Sequence, residues 1–188
     1  MTIKLKDLLM EGAKENAALD YLKNLIKKSP YEGKVFLAGG AVRDELMGID
    51  AKDLDFVINM KNGGIKFANW ATKKMKNHKR GSNPVTFERF GTAKFNLVGI
   101  EHDGFRLDDI DVECVMPRTE EYEDGSRKPK VGSGTLADDV ERRDFTTNSL
   151  LKNLSTGEIL DLTGQGKSDI KKGIIRTPLD PDIIFSED

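Results

Sequence analysis

The stretch that decides the fold is "VFLAGGAVRDELMGIDAKDLDFV" (Val35–Val57). Its apolar start, Val35–Ala38, predicts a short buried strand. Two glycines follow, and Ala41–Met47 then predicts a helix that ends at Gly48. The last part predicts a second strand over Leu54–Asn59, which two aspartates introduce. The stretch therefore predicts a strand, a glycine turn, a helix and a second strand that carries paired acids.

The glycine pair lies where the first strand passes into the helix. Gly39 and Gly40 have no side chains, so the backbone can approach a ligand closely there. The free N–H groups of a first helical turn also favour an anion. A tight turn without any ligand explains the pair equally well. The glycines alone therefore leave both interpretations open.

Asp53 and Asp55 are separated by one residue on the predicted strand, so their side chains share a face. The other face carries Leu54, Phe56 and Ile58, and we expect it to face the core. Two neighbouring carboxylates repel each other unless a cation lies between them. A hard divalent ion shared with phosphate oxygens would relieve that repulsion. A solvated strand start with two acids is the alternative.

A second segment, "DIDVECV", repeats the arrangement. Asp111 and Glu113 fall on one face of the predicted strand Ile110–Met116, and apolar side chains fall on the other. If this strand lies beside Leu54–Asn59, three or four acids come together. Such a cluster suits two-metal phosphoryl transfer.

The rest of the chain predicts helices that alternate irregularly with strands and hairpins. This pattern favours an α/β fold of the α+β kind, with a mixed sheet and helices mainly on one face. The further predicted elements are helical spacing over residues 5–28 divided at Gly12, a helix over Ile65–His78, a hairpin over Thr86–Ile100 that turns near Gly91, a mobile loop or lid over Arg118–Gly134, a helical stretch that begins at Leu136–Glu141 and leads to Phe145–Leu154, an extended Gly157–Leu162 and a short helix over Lys167–Lys172.

Composition limits the classes of protein that the chain resembles. The 188 residues carry a net charge of −2, so bulk charge predicts neither a nucleic-acid nor a membrane partner. No apolar run approaches the roughly 20 residues of a membrane span, and we expect no membrane association. The single cysteine, Cys114, excludes an internal disulfide and predicts a reducing, cytoplasmic location.

Three segments resemble one family in their residues and in their order. "LAGGAVRDELMGIDAKDLDFVI" resembles the Gly-Gly-x-Val-Arg-Asp … Asp-x-Asp signature of the tRNA nucleotidyltransferase / poly(A) polymerase family, in its bacterial-type class. "VERRDFTTNSL" (Val140–Leu150) resembles its Arg-Arg-Asp-Phe-Thr-Ile-Asn-Ala-Leu motif, and "ILDLTGQGKSDIKKGIIRTP" resembles the segment that follows. The resemblance runs from about Val35 to the end of the chain.

The resemblance implies a polymerase-beta-like nucleotidyltransferase head that uses Mg²⁺. It also implies a role for particular residues. The implied metal ligands are Asp53 and Asp55, with Glu113 as the further catalytic carboxylate and Asp111 as its competitor. The implied nucleotide-binding residues are Gly39, Gly40, Arg43, Arg143, Asp144, Asn148 and Asp188.

The end of the chain departs from the family. The base-selecting motif Glu-Asp-x-x-Arg would begin at Glu187, and its arginine does not follow. We therefore expect an N-terminal helical segment over 1–30, a nucleotidyltransferase head over 31–176 and the start of a truncated neck over 177–188. An excised head and a natural minimal protein both fit this division.

The leading functional prediction is a head that transfers CMP or AMP from CTP or ATP to an RNA 3′ end, with tRNA as the expected acceptor. A poly(A) polymerase head is the closest alternative, because nucleotide choice rests on residues after Asp188. A nucleotide- or RNA-binding domain that is inactive without its neck is another, and a small-molecule acceptor is a third. The basic segment Lys66–Arg80 fits either RNA contact or the solvated face of a helix.

Overall fold

The computed structural model describes residues 12–50, 53–75, 83–121 and 130–185. Within these ranges the helices are α1 (Ala13–Ile26), α2 (Gly40–Leu46), α3 (Gly63–Lys74), α4 (Leu136–Glu141), α5 (Gly166–Lys172) and α6 (Pro181–Phe185), with 3₁₀ turns at Glu88–Phe90 and Thr146–Asn148. The strands are β1 (Val35–Ala38), β2 (Leu54–Ile58), β3 (Val85–Phe87), β4 (Thr92–Asn96), β5 (Glu101–His102), β6 (Phe105–Arg106), β7 (Asp111–Val115), β8 (Arg118–Glu121), β9 (Lys130–Ser133), β10 (Leu151–Asn153) and β11 (Ile159–Leu160).

The main sheet is mixed, as the sequence predicts. Seven strands lie in the order β11-β10-β1-β2-β7-β4-β3. The β2–β7 pair is parallel, and the other neighbours are antiparallel. The parallel pair brings the two acid-bearing strands side by side, although 52 residues separate Ile58 from Asp111 in the chain.

One face of the sheet, the core face, carries most of the buried apolar side chains. Leu54, Phe56 and Ile58 lie on it, as predicted, and they are almost completely buried. Helices α1 and α3 cover this face with side chains from the same core cluster, among them Leu22 and Phe67. The predicted packing of helices mainly on one face is thus confirmed.

Helix α3 packs closely on the sheet because it begins with glycine. A side-chain carbon on Gly64 would lie 2.4 Å from the Cys114 carbonyl oxygen and 2.7 Å from that of Gly91. Any larger residue would push the helix away from β7. The resulting contact excludes water from Cys114, which is fully buried, and this burial raises the pKa of its thiol well above the usual value.

The opposite face of the sheet, which we call the site face, carries a smaller apolar cluster. Phe36, Ala38, Val57 and Leu151 pack there against Val140 of α4. This cluster leaves the part of the face near Asp55 and Glu113 uncovered. The site face therefore combines a short apolar floor with exposed ionisable side chains.

The small β5–β6 hairpin is attached to α1. His102 Nε2 lies 2.8 Å from a carboxylate oxygen of Asp20, and the His102 ring meets Tyr21 edge-on at 5.7 Å between centroids. The imidazole interaction lowers the pKa of Asp20. These contacts hold the hairpin on the side of the molecule where α1 lies.

Two sequence predictions about local structure were wrong. Arg118–Gly134 was expected to be a mobile loop, but its described parts pair as β8 and β9, from Arg118 opposite Ser133 onward. A helical stretch was expected to lead from Leu136 to Leu154, but the helix ends at Glu141. Near the end of the expected stretch, Leu151–Asn153 instead forms strand β10 beside β1. A short apolar run such as Leu150–Leu151 fits helix or strand equally well, and only the unpaired edge of β1 decides between them.

Candidate functional site

The carboxylates of the site are placed by the register of two strands. Asp55 of β2 is paired directly with Glu113 of β7, and both side chains lie on the site face. Asp53 precedes β2 by one residue and is exposed. The predicted convergence of acids from the two strands is therefore present in the structure.

The neighbouring carboxylates of this cluster affect the pKa of Asp55. Its pKa is raised, first because protein atoms displace water from the carboxyl group and then because Glu113 and Asp53 are negative. Arg143 and Lys94 oppose that rise. A cation between the carboxylates would remove the repulsion, and oxygen ligands of this kind suit Mg²⁺. The residues present thus fit a divalent metal.

The two competing acids of β7 have different partners. Asp111 accepts a hydrogen bond from the Asn96 amide, and one of its oxygens lies 2.9 Å from Lys94 Nζ. Both partners come from β4, which pairs with β7 on the side away from β2. Glu113 makes no comparable contact with the other residues that the structure describes. The geometry therefore leaves Glu113, rather than Asp111, available beside Asp55.

A cavity of about 230 Å³ opens on the site face next to these acids. Its lining includes two carboxylates, Asp55 and Glu113, and three arginines. Those arginines are Arg118, Arg142 and Arg143. Carboxylates and guanidinium groups around one cavity suit a ligand that binds a metal ion and also presents anionic oxygens.

The glycine turn follows Ala38, the last residue of β1, which lines the cavity. Gly39 adopts a positive φ of 67°, between the end of β1 and the start of α2, which favours glycine. A side-chain carbon there would lie 3.4 Å from Arg143 Nη1, and one on Gly40 would lie 3.4 Å from Arg43 Nη2. At these distances a methyl group would make ordinary contacts, so the positive φ at Gly39, rather than a lack of space, is what favours glycine there.

A hydrogen-bonded chain connects the other predicted nucleotide-binding residues. Asn148 Nδ2 donates to both carboxylate oxygens of Asp144 at 3.1 Å, and Asn148 Oδ1 accepts from Arg43 Nη1 at 2.7 Å. Arg43 also lies 2.7 Å from Asp44. The Asn148 carbonyl oxygen accepts from Arg143 Nη1 at 3.3 Å. The structure thus brings Arg43, Arg143, Asp144 and Asn148 together, whereas Asp188 lies outside the described residues.

Sequence reasoning missed three residues at this site. Arg118 and Arg142 line the cavity, and Asp139 is a fully buried carboxylate that pairs with Arg142 and Arg143. Arg142 belongs to the same "VERRDFTTNSL" motif as Arg143 and directly precedes it. Asp139 precedes Arg142 by three residues and Arg143 by four, which is the spacing of ion pairs on a helix. Arg118 follows the end of β7 by three residues, so the strand that carries Glu113 also leads to this arginine.

Comparison with known proteins agrees with this geometry. The family model for the poly A polymerase head domain matches residues 35–176. The mitochondrial CCA tRNA nucleotidyltransferase of Saccharomyces cerevisiae is 36% identical over 163 residues, which cover 81% of this chain and 28% of that protein. The chain thus spans less than a third of the length of this curated relative.

Two solved structures share the fold. A CCA-adding enzyme in an apo form superposes with a TM-score of 0.70 at 26% identity, over 100% of this chain and 41% of that one. A tRNA-processing enzyme solved with CTP gives a TM-score of 0.58 at 26% identity, over 82% of this chain and 35% of that one. These similarities and the matched residues show that the chain belongs to the poly(A) polymerase head-domain family, the family of the tRNA nucleotidyltransferases.

Proposed function

We propose that this chain is the catalytic head of a nucleotidyltransferase that transfers CMP or AMP from CTP or ATP to the 3′ end of an RNA, with tRNA as the acceptor. The observation that carries the proposal is the direct pairing of Asp55 with Glu113 in a cavity that three arginines also line. The names of the relatives support it, since they describe CCA-adding and tRNA-processing enzymes. Neither CCA addition nor poly(A) addition is favoured by the described residues alone.

In the proposed reaction the RNA 3′-hydroxyl oxygen forms a bond to the α-phosphorus while the bond to the pyrophosphate leaving group breaks. Asp53 and Asp55 would hold Mg²⁺, with Glu113 as the further carboxylate. When bound, the metal supplies positive charge that activates the attacking hydroxyl and stabilises the leaving pyrophosphate. Arg143 and Arg43 would place their charged donors along the phosphates, since guanidinium groups bind phosphate oxygens in a forked geometry.

The chain of hydrogen bonds from Asp144 through Asn148 to Arg43 would orient the nucleotide side of the site. Holding these groups before the ligand arrives lowers the entropy that binding costs. The glycines Gly39 and Gly40 would let the triphosphate approach the backbone. In this proposal none of these groups is assigned to the base edge.

The proposed RNA contact is the exposed basic side of α3. Lys66, Lys73 and Lys74 project away from the core there, whereas Lys76 and Lys79 lie outside the described residues. Lysines in such a row bind phosphates without reading sequence, so this affinity should fall steeply with salt.

None of the helices in the described ranges is long and apolar enough to cross a membrane.

The proposed compartment is the cytoplasm. Its support is the single buried thiol of Cys114, which suits a reducing environment. The yeast relative carries the word mitochondrial in its name. Fractionation of cells that express the tagged protein tests the proposal, and a mitochondrial signal would contradict it.

The experiment for the function is a transfer assay with radiolabelled CTP and ATP and a tRNA that lacks its 3′-terminal CCA. The wild-type chain should incorporate label in the presence of Mg²⁺, and Asp53→Ala and Asp55→Ala should abolish incorporation without unfolding the protein. Near-normal turnover in Asp53→Ala would contradict the metal assignment. Magnesium-dependent binding of CTP without transfer would instead support the binding-domain alternative.

A further inference from the structure

Asp139 is a charged side chain completely removed from solvent. It lies on α4 with an exposed fraction of zero, and the two arginines that follow it both reach its carboxylate. Arg142 Nη2 donates to one oxygen at 2.6 Å, and Arg143 Nη2 donates to the other at 3.0 Å. Burying a carboxylate costs free energy unless the group is paired and hydrogen-bonded. Moving either arginine away would restore that cost, so the carboxylate stabilises both guanidinium groups where they lie.

Both arginines that Asp139 holds are residues of the cavity wall. Arg142 and Arg143 line the same cavity as Asp55 and Glu113. Arg143 is also held from a second direction, since its Nη1 donates to the Asn148 carbonyl oxygen. Asp139 contacts both guanidinium groups but is buried and is not itself among the residues that line the cavity.

Helix α4 is itself fixed at the position that this contact requires. Thr135 and Asp138 form a capping box at its first turn, with the Thr135 hydroxyl accepting from the Asp138 backbone N–H and the Asp138 carboxylate accepting from the Thr135 N–H. The Ser149 hydroxyl donates to the Val140 carbonyl oxygen at 3.0 Å. The carboxylate therefore presents both oxygens to the arginines from a rigid backbone.

We propose that Asp139 is a positioning residue for nucleotide binding, which aligns Arg142 and Arg143 as a preformed clamp for the phosphates of the incoming nucleotide. The inference rests on the proposed function. Free arginines carry large side-chain entropy, which binding would have to remove. Without Asp139, the two guanidinium groups would also be drawn toward Asp55 and Glu113, where they would compete with the metal and the ligand.

The test uses Asp139→Asn, which keeps the shape of the side chain and removes its charge. Calorimetric titration with magnesium should show CTP binding at least tenfold more weakly than to the wild type. CMP, which has a single phosphate, should lose less than threefold. A purely structural role would weaken both nucleotides by the same factor, and equal losses would overturn the proposal.

Asp169→Asn is the matched control. The Asp169 side chain is also nearly fully buried and also pairs with an arginine, since Arg176 Nε lies 3.1 Å from it, but neither residue lines the cavity. Both variants should lower the melting temperature. Asp139→Asn should weaken CTP binding far more than Asp169→Asn, and an equal change in the control would overturn the specific role of Asp139.

A double-mutant cycle with Arg143→Ala tests whether Asp139 acts through the arginine. If it does, the loss of CTP affinity in the double variant should be clearly smaller than the product of the two single losses. Independent, multiplying effects would overturn the proposal. If Asp139→Asn does not fold, the variants Arg142→Lys and Arg143→Lys can be measured instead. Each keeps the positive charge but loses the paired N–H donors of the guanidinium group, and each should weaken CTP binding several-fold. Unchanged binding in both lysine variants would then reject the clamp.

The same titrations separate this inference from the proposed function. A wild-type chain that binds no CTP or ATP with magnesium would refute the nucleotide site itself, and the clamp with it. A wild-type chain that binds CTP, together with an Asp139→Asn variant of equal affinity, would refute only the positioning role.

Discussion

Asp55 and Glu113 lie directly opposite each other on neighbouring parallel strands, with both carboxylates on the same face of the sheet. This relationship gives the acidic cluster a definite geometry. It also separates Glu113 from Asp111, which lies two residues earlier on the same strand and is held by Lys94 and Asn96.

Glu113 and Asp111 should respond differently to loss of charge. Glu113→Gln should weaken magnesium-dependent binding of CTP by about tenfold or more, since a metal ligand or its electrostatic partner is lost. Asp111→Asn should leave that affinity within about twofold, because Asp111 already interacts with a lysine. Titrations with and without magnesium measure both effects. The opposite ranking would make Asp111 the further carboxylate.

Arg143→Ala should weaken binding of CTP and ATP by about tenfold or more, because a charge-assisted hydrogen bond is lost. The matched control is Arg176→Ala, which also breaks a pair with a buried aspartate but lies away from the cavity wall. The two variants should be compared well below their melting temperatures. Unchanged affinity in Arg143→Ala would mean that Arg143 and Asp139 form only a structural ion pair.

Phe67→Ala should lower the free energy of unfolding by about 3–5 kcal/mol, because it leaves a cavity in the core. Phe67 is fully buried, and its ring lies 5.2 Å from that of Tyr31 and 6.3 Å from that of Phe95, between centroids. Phe87→Ala removes the same ring from a half-exposed position and should change stability by about 0.5 kcal/mol or less. Urea denaturation measures both values. Equal losses would contradict the assigned core.

The acid stability of the protein should depend on Asp169. The Thr146 hydroxyl, which donates to it at 2.8 Å, and then Arg176 lower its pKa below the usual 3.8. A group with a lowered folded pKa stabilises the fold above its unfolded pKa, and this contribution is lost as the pH falls through the folded pKa. Asp169→Asn should therefore be less stable than the wild type at pH 7, and the difference should shrink from about pH 5 downward. Unfolding curves at several pH values would contradict this if they stayed parallel.

Nucleotide binding by this chain should depend little on the base. In the proposed site, the carboxylates Asp55 and Glu113 serve the metal ion, and Arg142 and Arg143 serve the phosphates, so these groups of the cavity lining are not assigned to the base edge. Base selection requires fixed donors and acceptors on the base edge, each worth about 1–3 kcal/mol of discrimination. We therefore expect CTP, ATP, GTP and UTP to bind with magnesium within about tenfold of one another. A clear preference for CTP and ATP over GTP would show that the head itself reads the base.

Much of the site could be predicted from the sequence because its signals are local. Period-two alternation placed Asp53 and Asp55 on one strand face and Asp111 and Glu113 on another, without any tertiary information. The glycine pair between a strand and a helix is equally local, and the positive φ of Gly39 agrees with it. The motif around Arg143 also marked Asp144 and Asn148, which the structure joins in one hydrogen-bonded chain.

Only the tertiary structure decided which of these residues are neighbours. The parallel pairing of β2 with β7 fixes Asp55 against Glu113, and a slip of one residue would turn one of the two carboxylates toward the core. Pairing with β1 made a strand of Leu151–Asn153, and pairing with each other made strands of Arg118–Glu121 and Lys130–Ser133. The burial of Asp139 could not be predicted from its sequence position, because it depends on how α4 packs on the sheet. The sequence by itself determined which face each side chain takes, because that depends on backbone period alone. Register, burial and the cavity depend on contacts between distant segments, and the pattern within any one segment does not specify them.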